Sequence, residues 1–437
     1  MNTSTPVVVL RSDGHGGLNI MRSLGRLGVA VYNVDPDHWA PTYSSVYCRG
    51  KFLWDVERQP GPLSVDYLLR AARSIGRRAI LIPTTDRTAV FVADHAEQLK
   101  AWYAFPEQPA GLARQLRDKM EMHLLARRVG IPTPETIAPR SRNEVLRFLE
   151  SATFPVMLKA IDSQRSFDKF RKKMFIVKTP QELLEKYDAL EDPADPVFLI
   201  QEYIPGGDDS IWMFNGYFNA DSECLIAFTG KKIRQCPIHT GSTSLGICQW
   251  NPAVDELTRH FMKAVRYRGI LDIGFRYDER DGKYKVLDVN PRIGATFRLF
   301  VADGGMDVAR ALYLDLTGQE VPRSSAPDGR KWMVEDLDLA SCGRYYLEGA
   351  LTFGQWVSSL RGIQEAAYFA WDDPKPFLTM LAVRSVEVMR RLSRLLATAA
   401  RRWTLRARAR WLALRLVGRA SVRPPIGPPT LKSEGGR

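Results

Sequence analysis

The sequence has few cysteines, no leader-like start and no long apolar run. Its five cysteines are an odd number without a C-x-x-C pair, which argues against structural zinc and against a disulfide framework. The first residues lack a basic segment followed by an apolar stretch, so we expect no signal peptide. No stretch of 18 apolar residues occurs, so we expect no spanning helix. These absences predict a cytoplasmic protein, either soluble or peripheral on the inner face of the membrane.

The composition is ordinary for a globular protein, with 45% apolar and 25% charged residues, and 437 residues suit two or three domains. The net charge of +13 is unevenly spread. Residues 375–423 hold thirteen Lys and Arg against one acid, Glu387, whereas residues 1–374 carry equal numbers of acidic and basic side chains. The surplus positive charge therefore belongs to the C-terminal tail.

The N-terminal region shows the pattern of a parallel sheet. Strand-like runs at Val7–Leu10 and 29–34 flank a glycine turn and an apolar-periodic helix, which makes a βαβ unit. A further strand at Ala79–Pro83 is followed by Asp86. Ligands of such sheets bind beyond the carboxyl ends of the strands, where residues 13–17 and Asp86 lie. The glycines do not form a complete G-x-G-x-x-G, so a tight turn and a dinucleotide site both stay open.

Residues 112–130 predict one helix that enters a new domain. Strand-rich sequence with intervening helices follows, which favours an α+β fold. The expected strands are at residues 154–160, 175–177, 197–201, 211–217, 225–228, 270–277 and 284–289. Residues 324–329, rich in Ser, Pro and Gly, predict a linker.

Four elements between residues 118 and 292 suit phosphoryl transfer, which needs cations for a triphosphate, oxygen ligands for Mg²⁺ and an apolar slot for adenine. These elements are the Asp118-Lys119 helix start, the strand that ends in Lys159, the turn at 201–208 and the Asp-Val-Asn-Pro-Arg segment 288–292. Each is a weak signal alone, because Asn-Pro turns and lysines after strands are common. Their order along the chain is the specific feature.

This order resembles the ATP-grasp superfamily, and within it the carboxylate–amine ligases similar to D-aspartate ligase. The likeness spans roughly residues 105–320, and a Rossmann-like preceding domain extends it to the N-terminus. It implies an α/β domain, an α+β ATP-grasp domain and a basic helical tail. The expected boundaries are 1–117 for the preceding domain, 118–322 for the ATP-grasp domain, 323–374 for a C-terminal extension and 375–437 for the tail.

The resemblance also implies nucleotide contacts for the motif residues. These contacts would be Lys119 and Lys159 with the ATP phosphates, backbone groups of Glu202 and Ile204 with adenine, and Asp208 with the ribose. For Lys159 a solvated strand end is the alternative, since lysines are mostly exposed.

Metal binding and transfer would fall to the last motif. The resemblance implies that Asp288 and Asn290 bind Mg²⁺ and that Arg292 contacts the γ-phosphate or an acyl phosphate. For Asp288 a purely structural acid is the alternative. The family commonly has an acid where this chain has Gly274, so Asp272, on the same strand face, is the candidate replacement. The number of Mg²⁺ ions stays open.

Two segments between the motifs are rich in cations. Residues 162–173 stand where the family has a glycine-rich loop and contain no glycine. Arg165 is the candidate phosphate contact there, and a solvated basic loop is the alternative. Residues 230–242 are expected to form a loop that closes over the acceptor, with Lys231 and Arg234 as partners of an anionic substrate.

Three further residues are weaker candidates. His239 in the same loop would suit a base, although a surface histidine is the more common case. Cys236 has no evident activating partner, so a nucleophile is not expected there. Arg298 is a further candidate for the active site.

The tail pattern is amphipathic. Over residues 381–403 the apolar side chains fall in one helical stripe with arginines flanking or opposite it. Such a helix suits an anionic membrane surface, reached through residues 375–423. A helix docked on the body is the alternative, and the balanced body argues against nucleic acid as a partner. Residues 420–437 predict disorder.

Together these patterns predict an ATP- and Mg²⁺-dependent carboxylate–amine ligase. It would phosphorylate a substrate carboxylate, let an amine attack the acyl phosphate and release ADP and phosphate. Small-molecule carboxylates and amines, or a cell-envelope precursor, are the expected substrates, and a homodimer is a further expected partner state. The alternatives are an ATP-grasp enzyme with a thiol or carboxylation acceptor and a nucleotide-binding regulatory protein without turnover.

Overall fold

The structure is a computed structural model that describes residues 1–12, 14–161, 174–190, 198–325 and 327–394. It divides into two compact units, Met1–Thr379 and Met380–Arg437. The candidate phosphate contact Arg165 and the tail beyond residue 394 lie outside the described residues. In these ranges no helix is both long and apolar enough to cross a membrane.

The first sheet has five parallel strands in the order β3-β2-β1-β4-β5. The strands are β1 Val7–Leu10, β2 Val31–Val34, β3 Cys48–Phe52, β4 Ala79–Pro83 and β5 Tyr103–Ala104. The apolar runs of β1 and β4 are buried because helices cover parallel sheets. The helices of this region are α1 His15–Gly25, α2 Gly61–Ile75, α3 Asp86–Asp94 and α4 Ala96–Leu99. The predicted parallel sheet is confirmed.

One edge of this sheet gathers the carboxyl ends of its strands. Strand β4 ends at Pro83, and the Thr85 side chain accepts a hydrogen bond from the Thr88 backbone N–H, which caps α3. Asp86 therefore lies at the first turn of α3, beside the carboxyl edge of the sheet.

The predicted single helix at 112–130 is wrong, because the chain forms two helices here. Helix α5 covers Leu112–Arg117 and α6 covers Lys119–Arg128. Asp118 between them has extended backbone, and its Oδ1 accepts hydrogen bonds from the backbone N–H groups of Met120 and Glu121, both over 2.9 Å. An aspartate that satisfies the first N–H groups begins a new helix, so the apolar periodicity continues while the backbone breaks.

The second sheet has four antiparallel strands in the order β6-β9-β7-β8. The strands are β6 Thr136–Ile137, β7 Val156–Ala160, β8 Met174–Val177 and β9 Phe198–Glu202, and the helices that cover them are α7 Arg142–Leu149 and α8 Pro180–Leu190. Buried Phe148, Leu158, Leu183 and Ile200 form its core.

The third sheet has seven strands in the order β14-β13-β10-β11-β12-β15-β16. The strands are β10 Ile211–Phe218, β11 Cys224–Cys236, β12 Ser242–Cys248, β13 Gly269–Asp278, β14 Lys283–Asn290, β15 Lys331–Met333 and β16 Ile363–Ala366. Its helices are α9 Pro252–Ala264 and α10 Val308–Leu316. One face packs Trp212, Phe214, Ile273 and Phe275 into a core with α5, α6 and α9. Because side chains alternate along a strand, the polar residues of β13 and β14 share the other face.

The predicted loop at 230–242 is wrong over most of its length. Strand β11 continues to Cys236 and pairs with both β10 and β12, so only residues 237–241 form a tip. Cations fit within the strand because each finds a partner: Lys231 lies against an aromatic ring and Arg234 against a carboxylate. The segment is therefore half of a hairpin.

The residues after the expected linker add to the third sheet. Met333 of β15 pairs with Leu245 of β12, and β16 pairs with β15. Helices α11 Glu335–Leu347 and α12 Phe353–Ser359 follow. Short 3₁₀ helices are Pro41–Ser44, Asp208–Ser210, Phe297–Leu299 and Asp303–Gly305. The domain boundaries expected from the sequence stay predictions.

The second unit is helical over its described residues 380–394. Four apolar side chains on one helical face are between 44% and 60% exposed: Leu381, Val388, Met389 and Leu392. Helical spacing places Arg390, Arg391 and Arg394 beside or opposite this face. The predicted amphipathic pattern thus lies on a helix over the described residues, with its apolar side chains about half exposed.

Candidate active site

Three oxygen-bearing side chains meet where β13 and β14 pair. In the antiparallel register Asp272 stands opposite Asn290, and Gly274 stands opposite Asp288. The two strands are joined by a turn in which Gly282 has a φ of +69°, a conformation that favours glycine. Alternation along each strand then places Asp272, Asp288 and Asn290 on one face of the sheet.

The Asn290 amide joins the two aspartates. Its Nδ2 lies 3.2 Å from Asp288 Oδ2 and 3.5 Å from Asp272 Oδ2. Burial raises the pKa of the Asp272 carboxyl to about 6; the Arg292 charge lowers it and Asp288 raises it further. In the described part of the chain no three His, Cys, Asp or Glu side chains group to hold a metal. Two carboxylates with one amide oxygen nevertheless fit Mg²⁺, which takes one or two protein carboxylates together with phosphates and water.

Gly274 lies beside Asp288 on the same face. A Cβ at this position would lie 2.8 Å from Asp288 Oδ1. An acid there would therefore point into the same cluster, and the glycine leaves Asp272 as the second carboxylate.

Arg292 connects the cluster to the first sheet. Its Nε donates a hydrogen bond to Asp86 Oδ1 over 2.9 Å, and its Nη2 donates to Asn290 Oδ1 over 3.2 Å. Nη1 is 3.8 Å from Asp272 Oδ2. The guanidinium thus lies between the metal-type ligands and the carboxyl edge of the first sheet.

Two lysines bring positive charge to the acids from two different sheets. Burial lowers the pKa of the Lys159 ammonium on β7, and the charge that opposes this shift is that of Asp288. Burial also lowers the pKa of Lys232 on β11, opposed by Asp288, Asp272 and Asp208 in that order. Strand alternation places Lys232 on the sheet face that carries Asp272 and Asp288, and Lys159 of β7 is close enough for the charge of Asp288 to act on it.

The end of β9 and the segment after it contain Glu202 and Ile204, which the sequence predicts to contact adenine. The Glu202 carboxylate is held by Lys285, whose Nζ lies 3.2 Å from each oxygen, and it lines a cavity of about 510 Å³ on that side. Ile204 is 3% exposed. The side chain of Glu202 is thus engaged, and its backbone N–H donates to the Glu135 carbonyl oxygen over 2.8 Å. Contact of its backbone with adenine stays a prediction.

Lys119 and Asp208 are the remaining two residues that the sequence predicts to contact the nucleotide. Lys119 is the first residue of α6 and is half-buried. Asp208 already accepts hydrogen bonds on both oxygens, from Gln235 Nε2 over 2.9 Å and from the Tyr345 hydroxyl. His239 lies between two acids, with Nδ1 3.4 Å from Asp208 Oδ1 and Nε2 bonded to Glu348 Oε2 over 3.0 Å.

Lys231 and Arg234 do not lie where the sequence interpretation put them. The Lys231 ammonium is 4.4 Å from the centroid of the Trp212 ring, on the face opposite to Lys232. Arg234 is 3% exposed, and its Nε and Nη2 donate to the two oxygens of Asp338 over 2.8 and 3.0 Å. The Lys231 ammonium therefore points away from the acids, and the charge of Arg234 is balanced by that of Asp338. Arg298 is likewise buried and paired with acids.

Sequence comparison finds enzymes related to this chain. It is 26% identical over 292 residues to D-aspartate ligase of Enterococcus faecium (strain Aus0004), covering 63% of the chain and 68% of the relative. It is 22% identical over 228 residues to the carbamoyl phosphate synthase large chain of Thermus thermophilus, covering 50% of the chain and 21% of the relative. The chain thus spans only about a fifth of that second relative. No family model matches the chain.

Solved structures share the fold at low identity. N5-carboxyaminoimidazole synthetase from Staphylococcus aureus, complexed with ADP, has a TM-score of 0.56 at 12% identity and covers 74% of this chain and 80% of its own. L-amino acid ligase from Bacillus licheniformis gives 0.54 at 15%, covering 72% and 75%. The biotin carboxylase domain of Hydrogenobacter thermophilus 2-oxoglutarate carboxylase, solved with MgADP, gives 0.53 at 16%, covering 74% and 73%.

The chain has an ATP-grasp fold. The fold and the resemblance to D-aspartate ligase that the motifs predicted are thereby confirmed. Within the ATP-grasp arrangement, Arg292 connects the acid cluster of β13 and β14 to Asp86 beside the first sheet.

Two site residues were missed by reasoning from the sequence. Lys232 would have followed from strand alternation, had β11 been extended through residue 236, because adjacent lysines of a strand point to opposite faces. The pairing of Asp86 with Arg292 had no local signal, since 206 residues separate them. Asp86 was recognised only as a residue at the ligand-binding edge of a sheet.

Proposed function

We propose that this ATP-grasp ligase phosphorylates a substrate carboxylate with ATP and joins the acyl phosphate to an amine. The observation that carries the proposal is that Lys232 shares one face of the third sheet with Asp272, Asp288 and Asn290, while the charge of Asp288 acts on Lys159 of β7. Hard oxygen ligands flanked by cations are what transfer of a γ-phosphoryl group needs.

Asp288, Asn290 and Asp272 would hold Mg²⁺. Bound Mg²⁺ would draw charge from the phosphate oxygens as the terminal phosphoryl group moves. Asp272 belongs to the set because its register places it beside Asn290 on the face that Gly274 leaves open. The two carboxylates would supply oxygens directly, and Asn290 would supply its Oδ1 after giving up the hydrogen bond from Arg292.

Lys159, Lys232 and Arg292 would neutralise the transferred group. The two lysines are poorly hydrated, which strengthens an ion pair with phosphate oxygens. Arg292 is oriented by Asp86 and Asn290, so its guanidinium is preset for an acyl phosphate. We propose Lys232 in place of Lys231 and Arg234 because of its position on the cleft face.

Adenine would bind the backbone of Glu202 and lie against Ile204, and Lys119 would contact the phosphates. The support is that strand β9 ends at Glu202 with its side chain turned to Lys285. An apolar side chain beside backbone hydrogen-bonding groups is the usual form of an adenine slot.

The reaction would proceed in two displacements. A carboxylate oxygen of the substrate bonds to the γ-phosphorus while the bond from that phosphorus to the ADP oxygen breaks. The amine nitrogen then bonds to the acyl carbon, phosphate leaves with the electron pair of the C–O bond, and the amine loses one proton to solvent. No covalent bond to the protein forms, so the residues act by position and charge.

An amino acid is the proposed substrate on at least one side of the new bond. The support is the similarity to two enzymes named for amino acids, D-aspartate ligase and L-amino acid ligase. A cell-envelope precursor as acceptor, a cytoplasmic location, a homodimer and contact of residues 375–423 with an anionic membrane are further proposals. The exposed apolar stripe of residues 380–394 supports the last of these.

The decisive experiment measures ADP release with Mg·ATP across pairs of carboxylates and amines, including both series of amino acids and bicarbonate. We expect release that requires both partners, and a hydroxamate when hydroxylamine replaces the amine. Lys159→Met should abolish release, whereas Lys263→Met, at an exposed lysine of α9, should leave it unchanged. ATP binding without ADP release from any pair would overturn the proposal and favour a nucleotide-binding regulatory protein.

A further inference from the structure

A chain of hydrogen bonds runs from the C-terminal extension to Lys232 of β11. The Tyr345 hydroxyl of α11 donates to Asp208 Oδ2, and Gln235 Nε2 donates to Asp208 Oδ1 over 2.9 Å. Lys232 Nζ donates to Gln235 Oε1 over 3.3 Å and to the Gly241 carbonyl oxygen over 2.9 Å. We call Tyr345, Asp208 and Gln235 the relay.

Every group of the relay has one consistent role. The carboxylate accepts twice, and the amide of Gln235 donates through nitrogen and accepts through oxygen, which fixes its orientation. Burial raises the pKa of the Tyr345 hydroxyl, with the Asp208 carboxylate as the next cause, so the hydroxyl stays protonated and donates. In the relay every hydrogen-bond donor therefore faces an acceptor.

Burial makes the relay hard to replace by water. Gln235 is 1% exposed and Tyr345 is 6% exposed. The Asp208 carboxylate between them is partly buried, and the loss of a donor to it is still costly, so each link constrains the next one. The hairpin tip is also tight, because a Cβ at Gly241 would collide with the backbone of Cys236. The Gly241 carbonyl is thereby held where Lys232 reaches it.

These hydrogen bonds determine the position of the Lys232 ammonium. Two of its three N–H groups are directed at Gln235 and Gly241, which leaves one for an oxyanion, and strand alternation puts Lys232 on the sheet face of Asp272 and Asp288. A lysine is otherwise a flexible point charge, so these bonds set where its charge lies.

We propose that Tyr345, Asp208 and Gln235 are positioning residues that hold the Lys232 ammonium at the transferred phosphoryl group. The inference rests on the proposed function for the identity of that group. It assigns Asp208 to the relay instead of the ribose, and it makes a tyrosine outside the predicted ATP-grasp segment part of the machinery. Because the relay acts through Lys232 alone, its loss should matter only while Lys232 is present.

The test is a double-mutant cycle on the full-length protein. Tyr345→Phe keeps the ring, which packs 5.3 Å from His239, and removes only the hydroxyl. We expect it to lower kcat about tenfold, the scale of supporting residues around a metal site. In a Lys232→Met background it should add almost nothing, since contacting residues in one network are non-additive. Tyr346→Phe, at the exposed neighbouring tyrosine, is the matched control and should change nothing.

A second variant separates the relay from ribose binding. Asp208→Asn should match Tyr345→Phe in size and should lower activity with ATP and with 2′-deoxy-ATP by the same factor. If Asp208 binds the ribose, the substitution instead removes the preference between these nucleotides and overturns the relay. Additive effects of Tyr345→Phe and Lys232→Met would overturn it as well. Thermal unfolding of each variant identifies any that does not fold.

The same cycle is read on Mg·ATP affinity by calorimetry, which needs no turnover. If no substrate pair releases ADP, the proposed function fails, and the relay stands or falls on the affinities alone. We expect each single variant to weaken binding and the double variant to equal Lys232→Met. Independent, additive losses of affinity would overturn the relay irrespective of the reaction.

Discussion

Arg292 and Asp86 form a hydrogen bond between two sheets, with Nε donating to Oδ1 over 2.9 Å. Asp86 begins α3 at the carboxyl edge of the first sheet, and Arg292 follows strand β14. The same guanidinium donates to Asn290. The pair therefore closes the site on the side where a substrate held by the first sheet would meet the acyl phosphate.

Removing the charge of Asp86 should affect the substrates more than the nucleotide. We expect Asp86→Asn to lower kcat/KM for the carboxylate about tenfold, because the amide weakens the charge-assisted bond that orients Arg292. The KM for ATP should change little. Steady-state kinetics with each substrate varied in turn measures this, with Asp66→Asn, an exposed acid of α2 paired with Arg70, as the control. Equal rises in both KM values would contradict the assignment.

Asp288 should be the acid on which Mg²⁺ depends most. We expect Asp288→Asn to lower kcat about 100-fold or more, because an amide cannot supply the charge that a metal clamp contributes. The Mg²⁺ concentration for half-maximal activity should rise, as a magnesium titration at fixed ATP would show. Glu279→Gln, at an exposed acid near the β13–β14 turn, is the control. An unchanged magnesium requirement would leave Asp288 as a structural acid.

An acid restored at position 274 should make stability depend on magnesium. A Cβ at Gly274 lies close to Asp288, so Gly274→Glu brings two carboxylates together. We expect a lower Tm than wild type in EDTA and a larger rise in Tm on addition of Mg·ATP. Gly274→Ala adds a side chain without a charge. It should therefore lower the Tm in EDTA without giving the larger rise in Tm on addition of Mg·ATP. Equal shifts for both variants would mean that position 274 does not face the metal.

Substitutions of Arg234 and Lys232 should have different effects, the first mainly on stability and the second mainly on turnover. Arg234→Met leaves buried Asp338 without its ion pair, which costs about 3–5 kcal/mol of unfolding free energy in comparable cases. We expect a large shift in urea unfolding and much of the loss recovered in Arg234→Met with Asp338→Leu. Lys232→Met should show the reverse pattern, with turnover lost and a smaller shift in unfolding, because it removes the donor to the Gln235 and Gly241 oxygens but leaves no buried charge unpaired. Loss of turnover by Arg234→Met at unchanged stability would return Arg234 to the substrate.

The exposed stripe of the second unit should direct membrane binding. With Leu381 and Met389 on the open apolar face, we expect Leu381→Asp with Met389→Asp to abolish pelleting with anionic liposomes. Glu387→Gln, away from that face, should not reduce it. Neutral liposomes should bind less than anionic ones, and salt should weaken binding because the arginines contribute by charge. Equal pelleting of wild type and the double aspartate variant would sink the membrane proposal.

The sequence predicted those parts of the molecule that local pattern controls. Strand β14 and its acids follow from alternation and from the Asp281-Gly282 turn, both read within a few residues. Strand β11 was cut short because Lys231 and Lys232 look like loop residues until their partners are known. The partners, the Trp212 ring and the acid cluster, lie on strands β10, β13 and β14. The sequence of residues 230–242 alone therefore does not reveal them.

The break at Asp118 belongs to a different class. Its side chain caps α6, a signal present in the sequence but overridden by the continuous apolar period of 112–130. The bonds from Arg292 to Asp86 and from Tyr345 to Asp208 span 206 and 137 residues, and only the assembled fold brings such groups together.

The tie between Arg234 and Asp338 has a consequence for anyone who rebuilds this enzyme. The hairpin of β11 and β12 and the helix α11 share one buried ion pair, and Asp338 also accepts from Trp356 of α12. A chimera that exchanges the hairpin alone would strand a carboxylate inside the protein. Residues 224–248 and 335–359 should therefore be exchanged together in a chimera, although they are far apart in the sequence.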